Sequence, residues 1–206
     1  MMKSSLARRA PADFLLLGVT AIELALLYPL TPAFTVADWI YVLQHALVLG
    51  IALARRPPQA RDDSLPATVA VVVAYAYSYA QVAWLKWVPG EAVWPDGGLA
   101  LVTLAAFLSL TSLLTLGRRF GVRPALRDLT TTGPYRLVRH PMYLAYVLAD
   151  IGYNLQEWNS GTALLVIAGW ASLLYRIDAE ERVISRHDKW PAYAASVRYR
   201  LVPGVW

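Results

Sequence analysis

Apolar residues in this chain gather into long runs, and the polar residues between them are mostly short interruptions. A membrane-spanning helix needs about 20 consecutive, mostly apolar residues. Ala12 to Leu30 and Val36 to Ala54 supply two such runs, Pro66 to Trp87 a third and Gly97 to Leu116 a fourth. Two shorter runs follow a polar stretch: Met142 to Leu155 and Gly161 to Tyr175, parted by Gln156, Glu157, Trp158, Asn159 and Ser160. They predict a helical hairpin, short for a full crossing unless its helices extend into flanking polar sequence. From Arg176 onward charges mix with apolar positions, among them Ile177, Val183, Ile184, Trp190, Tyr193, Val197 and Tyr199. That mixture predicts a continuation of the sixth helix and then a short amphipathic helix at the membrane interface. The whole pattern predicts an all-α fold, a polytopic membrane bundle of about six hydrophobic segments in one domain, residues 1–206, with four transmembrane helices within 1–117.

Charge gives this bundle an orientation. The N-terminus carries Lys3, Arg8 and Arg9, and the second loop Arg55, Arg56 and Arg61. The fourth loop carries Arg118, Arg119, Arg123, Arg127, Arg136 and Arg139, whereas the intervening loops hold Asp38, Glu91, Asp96 and Glu157, with only Lys86 near that face. Basic loops face the cytoplasm, so six segments place both termini inside. Trp39, Trp84, Trp87, Trp94 and Trp158 fall near span ends on the opposite face, as interfacial aromatics do. Lys3, Arg8 and Arg9 precede the first run as in a signal peptide. That run is long and no small-residue cleavage site ends it, which predicts a retained first span.

Composition narrows the chemistry. The chain is 57% hydrophobic and 16% charged, and it has no cysteine, which excludes disulfides, thiolate metal sites and cysteine nucleophiles. A sequence pI near 9.6 could suggest nucleic acid. The basic residues sit in short loops beside apolar spans, however, so they speak for membrane orientation and against a nucleic-acid partner. His45, His140 and His187 fall in a span, a loop and a C-terminal turn, with no ligand spacing, so no metal site is expected. The chain has no Gly-x-Gly-x-x-Gly, no phosphate-binding loop and no Gly-x-Ser-x-Gly elbow.

Two constellations remain. Gly133-Pro134-Tyr135-Arg136-Leu137-Val138-Arg139-His140-Pro141-Met142-Tyr143 stands just before the hairpin. A cytoplasmic loop would explain its arginines, but not why His-Pro and a tyrosine abut a span. Pro141 suits the first turn of the helix it opens, which leaves nearby N–H groups able to bind an anion. His140 and Tyr143 are then close to that positive end. The second constellation is Tyr175-Arg176-Ile177-Asp178-Ala179-Glu180-Glu181-Arg182. Arg176 and Glu180 are four apart and share a helical face bordered by Glu181. A solvated helix end with local ion pairs is the plainer reading; a pocket shared with the histidine motif is the sharper one.

From about Leu116 to the end, the chain resembles the isoprenylcysteine carboxyl methyltransferase family and, more distantly, the phospholipid N-methyltransferases. The resemblance rests on Leu116-Gly117-Arg118-Arg119-Phe120, the Gly-Pro-Tyr-Arg…Arg-His-Pro-Met-Tyr segment, Arg176 with Glu180-Glu181, and Tyr193 with Pro203-Gly204. One departure is Ala145, where the family often has glycine. The resemblance implies that residues 118–206 bind S-adenosylmethionine and release S-adenosylhomocysteine, in a pocket of hairpin and tail open to the cytoplasm. By the same resemblance His140 and Tyr143, with Arg139 and Tyr135, are cofactor contacts. Glu180 and Glu181 are polar partners of the cofactor's ribose or amino group, or of the acceptor. Arg176 orients an anionic acceptor and, with Glu181, makes the catalytic pair. The implied partners are membrane lipids and a lipophilic or lipidated acceptor, with an isoprenylcysteine-like carboxylate first. A phospholipid amine or small thiol is the rival acceptor, and a non-catalytic transport or assembly protein is the rival class.

Glu23, Gln44, His45, Gln81 and Asp150 lie inside or near the apolar runs. An ionisable group in a span costs about 2.5–3.5 kcal/mol on insertion scales, so each needs a reason. Interhelical hydrogen bonds, such as Glu23 with His45, are the first; lining the acceptor's route is the second. Asp150 lies seven residues after Tyr143 on the same helical face, and of these it should come nearest the pocket.

Overall fold

The computed structural model describes residues 36–54 and 57–206. The expected first span, Ala12 to Leu30, lies outside the described residues, as do Glu23, the N-terminal basic residues, Arg55 and Arg56. The described chain is mostly helical. Its long helices are α1 Val36–Ala54, α2 Leu65–Trp87, α3 Pro95–Leu116, α4 Pro141–Gln156 and α5 Ser160–Ile184; a short α6, Trp190–Ser196, follows. Each long helix after α1 opens on a local signal. Ser64 caps α2 by accepting from Ala67 N at 3.3 Å, with Pro66 in the first turn. Pro95 and Pro141 open α3 and α4, and the Asn159 side chain accepts from Gly161 N at 2.8 Å to start α5. Gly117, at φ +48°, ends α3 in a conformation that favours glycine.

Packing departs from a simple hairpin. α4 and α5 are consecutive and joined by residues 157–159, yet α4 packs chiefly on α3, and α5 on α2. Small residues allow the close approach. A Cβ on Gly98 of α3 would stand 2.5 Å from the Gly152 carbonyl of α4, and Ala105, Ala106 and Ala145 are essentially fully buried. Ala145 therefore does the work expected of a glycine there. On the other pair, Ser172 of α5 donates to the Ala70 carbonyl of α2 at 2.6 Å, and Gly169 lies against the Tyr77 ring. α1 closes on α3 through Ile40, Val102 and Ala106. The expected hairpin is thus divergent, with its two helices held by different partners.

The all-helical expectation has one exception among the described residues. Ala60–Arg61 (β1) pairs antiparallel with Ala125–Leu126 (β2), tying the loop before α2 to the loop after α3. Two residues per strand give no readable alternation, so this ladder had no signal in the sequence. At the other end Glu91 and Trp158 exchange backbone hydrogen bonds at 2.8 and 2.7 Å. The acidic loops therefore meet at one end of the bundle and the arginine-rich loops at the other.

Among the described residues, two helical stretches are long and apolar enough to cross a membrane, Pro95–Arg119 and Ser160–Ile184. Only 33% and 39% of their apolar windows are buried inside the protein, so most of that surface faces outward, unlike the core of a soluble bundle. Leu104, Phe107, Leu164 and Ile167 are among the exposed residues. α4, at 16 residues, is about 24 Å long, short of the ~30 Å hydrocarbon core.

Candidate active site

The site is built where the segment before α4, the end of α5 and the C-terminal tail converge. Gly133 takes φ +56° to open a 3-10 turn, Gly133–Arg136, and a Cβ there would also meet Thr115 Oγ1 at 2.8 Å. The turn delivers Val138, Arg139 and His140 to the start of α4. There the chain is strapped by the tail, since Arg139 N donates to the Tyr199 carbonyl and His140 N to that of Arg200, both at 2.9 Å. No side chain caps this end of α4.

Glu181 lies behind the strap. Its Oε1 accepts from Arg139 Nε at 2.7 Å and lies 3.2 Å from His140 Nε2, and its Oε2 accepts from Arg200 Nε at 2.9 Å. Arg139 Nη1 also donates to the Val197 and Arg198 carbonyls, at 3.0 Å each. Its guanidinium stacks 5.8 Å from the Trp190 ring of α6. Tyr193, buried on α6, donates to the Tyr135 carbonyl at 2.9 Å, and burial pushes its phenol up to about 12. Burial, and then the Glu180 charge, likewise pushes the Tyr135 phenol well above its ordinary range. The expected interfacial helix is therefore a clamp on the motif before α4, with one side turned inward.

Glu180 faces the other way, into a cavity of about 1020 Å³. Tyr143 OH donates to Glu180 Oε1, and His140 Nδ1 lies 3.8 Å from Glu180 Oε2. The His140 and Tyr143 rings stack at 5.7 Å and 23°. Arg176, one turn before Glu180, holds its guanidinium 5.1 Å from the Tyr143 ring centroid and donates from Nη2 to the Val122 carbonyl at 3.2 Å. Its Nε is buried and has no hydrogen-bond partner. Tyr135, Arg139, His140, Tyr143, Arg176 and Glu180 all line the cavity, whereas Glu181 is not on its wall.

The cavity continues between the helices to Asp150, Tyr77 and Gln81, and to Gln44 and His45 on α1. Asp150, 6% exposed, accepts from Tyr77 OH at 3.1 Å and Trp170 Nε1 at 2.8 Å. It thereby ties α4 to α2 and α5, and it shares the cavity with Tyr143 as the seven-residue spacing implied. The site also contains residues that no local pattern marked. Arg200 reaches Glu181 from the tail, and Asp128 ties the loop after α3 to Arg119 (3.0 Å) and His187 (3.6 Å). Burial works to raise the Asp128 pKa, but hydrogen bonds from Arg119 and Leu129 N–H, with the Arg119 charge, hold it below the ordinary carboxylate value. Among the described residues no cluster of His, Cys, Asp and Glu could hold a metal ion.

The chain is similar to known proteins over the region that holds these residues. A curated relative, protein-S-isoprenylcysteine O-methyltransferase B of Arabidopsis thaliana, is 27% identical over 95 residues, which cover 43% of this chain and 48% of the relative. The chain thus spans about half the length of that relative. The Gly133–Tyr143 motif, Arg176 and the Glu180-Glu181 pair all fall inside the region, residues 98–186, over which the chain matches the Isoprenylcysteine carboxyl methyltransferase (ICMT) family.

Proposed function

We propose that this chain is an integral membrane methyltransferase that moves a methyl group from S-adenosylmethionine to a lipophilic acceptor, the carboxylate of an isoprenylcysteine-like molecule. The observation that carries the reading is Glu180, Tyr143, His140 and Arg176 together on the wall of one cavity. The residues fit such a pair of ligands. Small-molecule sites usually enclose about 300–1,000 Å³, and this cavity, at about 1020 Å³, is at the top of that range. The buried, unpartnered Arg176 Nε supplies a donor that a ligand can satisfy. What favours the carboxylate acceptor is the activity in the Arabidopsis relative's name.

Tyr135, Arg139, His140, Tyr143 and Glu180 would hold the cofactor, Glu180 as a carboxylate partner for its ribose or amino group. S-adenosylmethionine, when bound, would supply an electrophilic methyl group on its sulfonium. Arg176 grips the acceptor carboxylate, to which a guanidinium can donate two parallel hydrogen bonds. That carboxylate is already ionised at neutral pH, so no side chain need remove a proton. What the protein chiefly contributes is position, with reacting atoms held about 3–3.5 Å apart and aligned. Glu181 contributes at one remove, by fixing Arg139, His140 and the tail around the cavity.

The arrangement in the membrane is part of the proposal: about six segments, both termini cytoplasmic and the site at the cytoplasmic face. It is supported by the site lying at the arginine-rich end, where a water-soluble donor and a membrane-borne acceptor can both arrive. The test is methyl transfer from labelled S-adenosylmethionine to a prenylcysteine, to phosphatidylethanolamine and to a small thiol. Label in the prenylcysteine ester is the expected result. Label in either other product reassigns the acceptor. No transfer, with no equilibrium binding of S-adenosylmethionine, refutes the enzyme.

A further inference from the structure

Beyond Arg176 the cavity runs on between the helices, and its wall there is not plain hydrocarbon. Ile40, Gln44 and Val48 are four residues apart and share one face of α1. Ile40 packs on Val102 and Ala106 of α3, and Val48 on Val71 and Val122 beside Tyr75. The Val122 carbonyl is the one that accepts from Arg176. Gln44 therefore stands one turn from the level of Arg176, about 6 Å along α1, toward the end where the acidic loops meet. It is 8% exposed, lines the cavity, and keeps Oε1 buried without a hydrogen-bond partner. Asp150 lines the same cavity about 10 Å along α4 from Tyr143, but Tyr77 OH and Trp170 Nε1 already donate to its carboxylate. Ser109 Oγ is also buried and unpaired, yet Ser109 is not on the cavity wall. Among the described residues, the cavity-lining side chains with a buried, unpaired atom are thus Arg176 and Thr130 at the polar end and Gln44 in this reach.

A hydrocarbon chain laid past Gln44 would strip water from Oε1 and return nothing, and a buried acceptor left unsatisfied is costly. A hydroxyl at that height returns the bond. Gln44 and Tyr77 also precede residue 98, where the family match begins, so this wall lies outside the matched region. We propose that Gln44 is a specificity-determining residue that takes a hydrogen bond from a hydroxyl on the lipophilic chain of the methyl acceptor. The inference rests on the methyltransferase reading, which puts the methyl acceptor's carboxylate at Arg176. It narrows the substrate class to a lipophilic carboxylic acid hydroxylated on the near part of its chain. A site built to bind a hydroxyl discriminates against the analogue that lacks it, because its own polar group is then left unpaired.

The experiment compares three probes that differ only in a hydroxyl. Full-length protein in lipid nanodiscs, saturated with S-adenosylhomocysteine, is titrated with N-acetyl-S-farnesylcysteine and with two analogues. One analogue is hydroxylated on the first isoprene unit, the other at the chain end. Wild type should bind the first-unit analogue about tenfold more tightly than the parent, and the chain-end analogue no more tightly. Gln44→Leu, which removes the amide oxygen, should shrink that preference to less than about twofold while S-adenosylhomocysteine affinity stays unchanged. Equal binding of the parent and the first-unit analogue by wild type overturns the proposal. So does an equal gain from both hydroxyls, or a preference that survives Gln44→Leu. If Gln44→Leu fails to fold, Gln44→Met is read by the same criterion. A wild-type protein that binds no S-adenosylhomocysteine refutes the methyltransferase reading instead. The Gln44 subsite then stands only if the first-unit analogue, titrated alone, still outbinds the parent in a Gln44-dependent way, and otherwise falls with it.

Discussion

Glu180 and Glu181 are neighbours in the chain and belong to two different regions of the molecule. Glu181 sits in the strap, where Arg139, Arg200 and His140 all converge on it. Glu180 sits on the cavity wall, where Tyr143 and His140 meet it and where Arg176 and Thr130 keep buried polar atoms without partners. One region is satisfied by its own side chains; the other keeps buried polar atoms that no side chain satisfies. Buried polar groups are almost always paired, so under the proposed function the contrast would separate residues that hold the structure from residues that hold a ligand.

Removing Glu181 should produce the largest effect on stability. Glu181→Ala leaves Arg139 and Arg200 without their shared carboxylate, and breaking a buried ion pair from one side costs about 3–5 kcal/mol. Thermal unfolding in detergent should fall sharply, and the tail beyond Ile184 should become open to protease. A mutant that melts like wild type would place Glu181 on the ligand side. Next is Arg176→Ala, which should lower turnover by about two orders of magnitude, as loss of a preorganised electrostatic contact does, while S-adenosylmethionine affinity changes little. Equal loss of turnover and affinity would mean that Arg176 serves the cofactor. Glu180→Gln comes third, weakening S-adenosylmethionine binding about tenfold with little change in melting. If instead the protein is destabilised as by Glu181→Ala, the two regions are one.

The helices were legible because lipid enforces a simple rule, long apolar runs ended by Pro, Gly or charge. Val36–Ala54 has the bounds its hydropathy predicts, and the starts at Leu65, Pro95 and Pro141 lie within two residues of expectation. The site was legible where its residues are local: His140 and Tyr143 one turn apart, Arg176 and Glu180 one turn apart. Arg200 and Thr130 were not. Each reaches the site from a loop or tail whose path depends on long-range pairings such as Ala60 with Leu126 and Arg139 with Tyr199. The partners of α4 and α5 were hidden for a similar reason. Small residues such as Gly98 and Gly152 permit close packing, but they do not say with which helix.

The smallest effect tests whether the strap is dry. Tyr193→Phe removes the hydrogen bond to the Tyr135 carbonyl, which should cost about 1 kcal/mol near neutral pH. The alkaline limb is the sharper readout. Burial raises the Tyr193 phenol from an ordinary 10.0 to about 12. A phenol raised in the folded state contributes its stability fully below its unfolded value. That contribution is lost as pH rises through the folded value, because the unfolded chain ionises first. Between pH 10 and 12 wild type should therefore lose on the order of 2 kcal/mol through this residue. The Phe variant should be less stable at pH 8 yet decline less steeply above pH 10, so the two unfolding curves converge or cross. Parallel curves would show that Tyr193 ionises as freely in the folded protein as in the unfolded one. The strap would then be wet, and the division between a self-satisfied strap and a ligand-seeking wall would lose its first half.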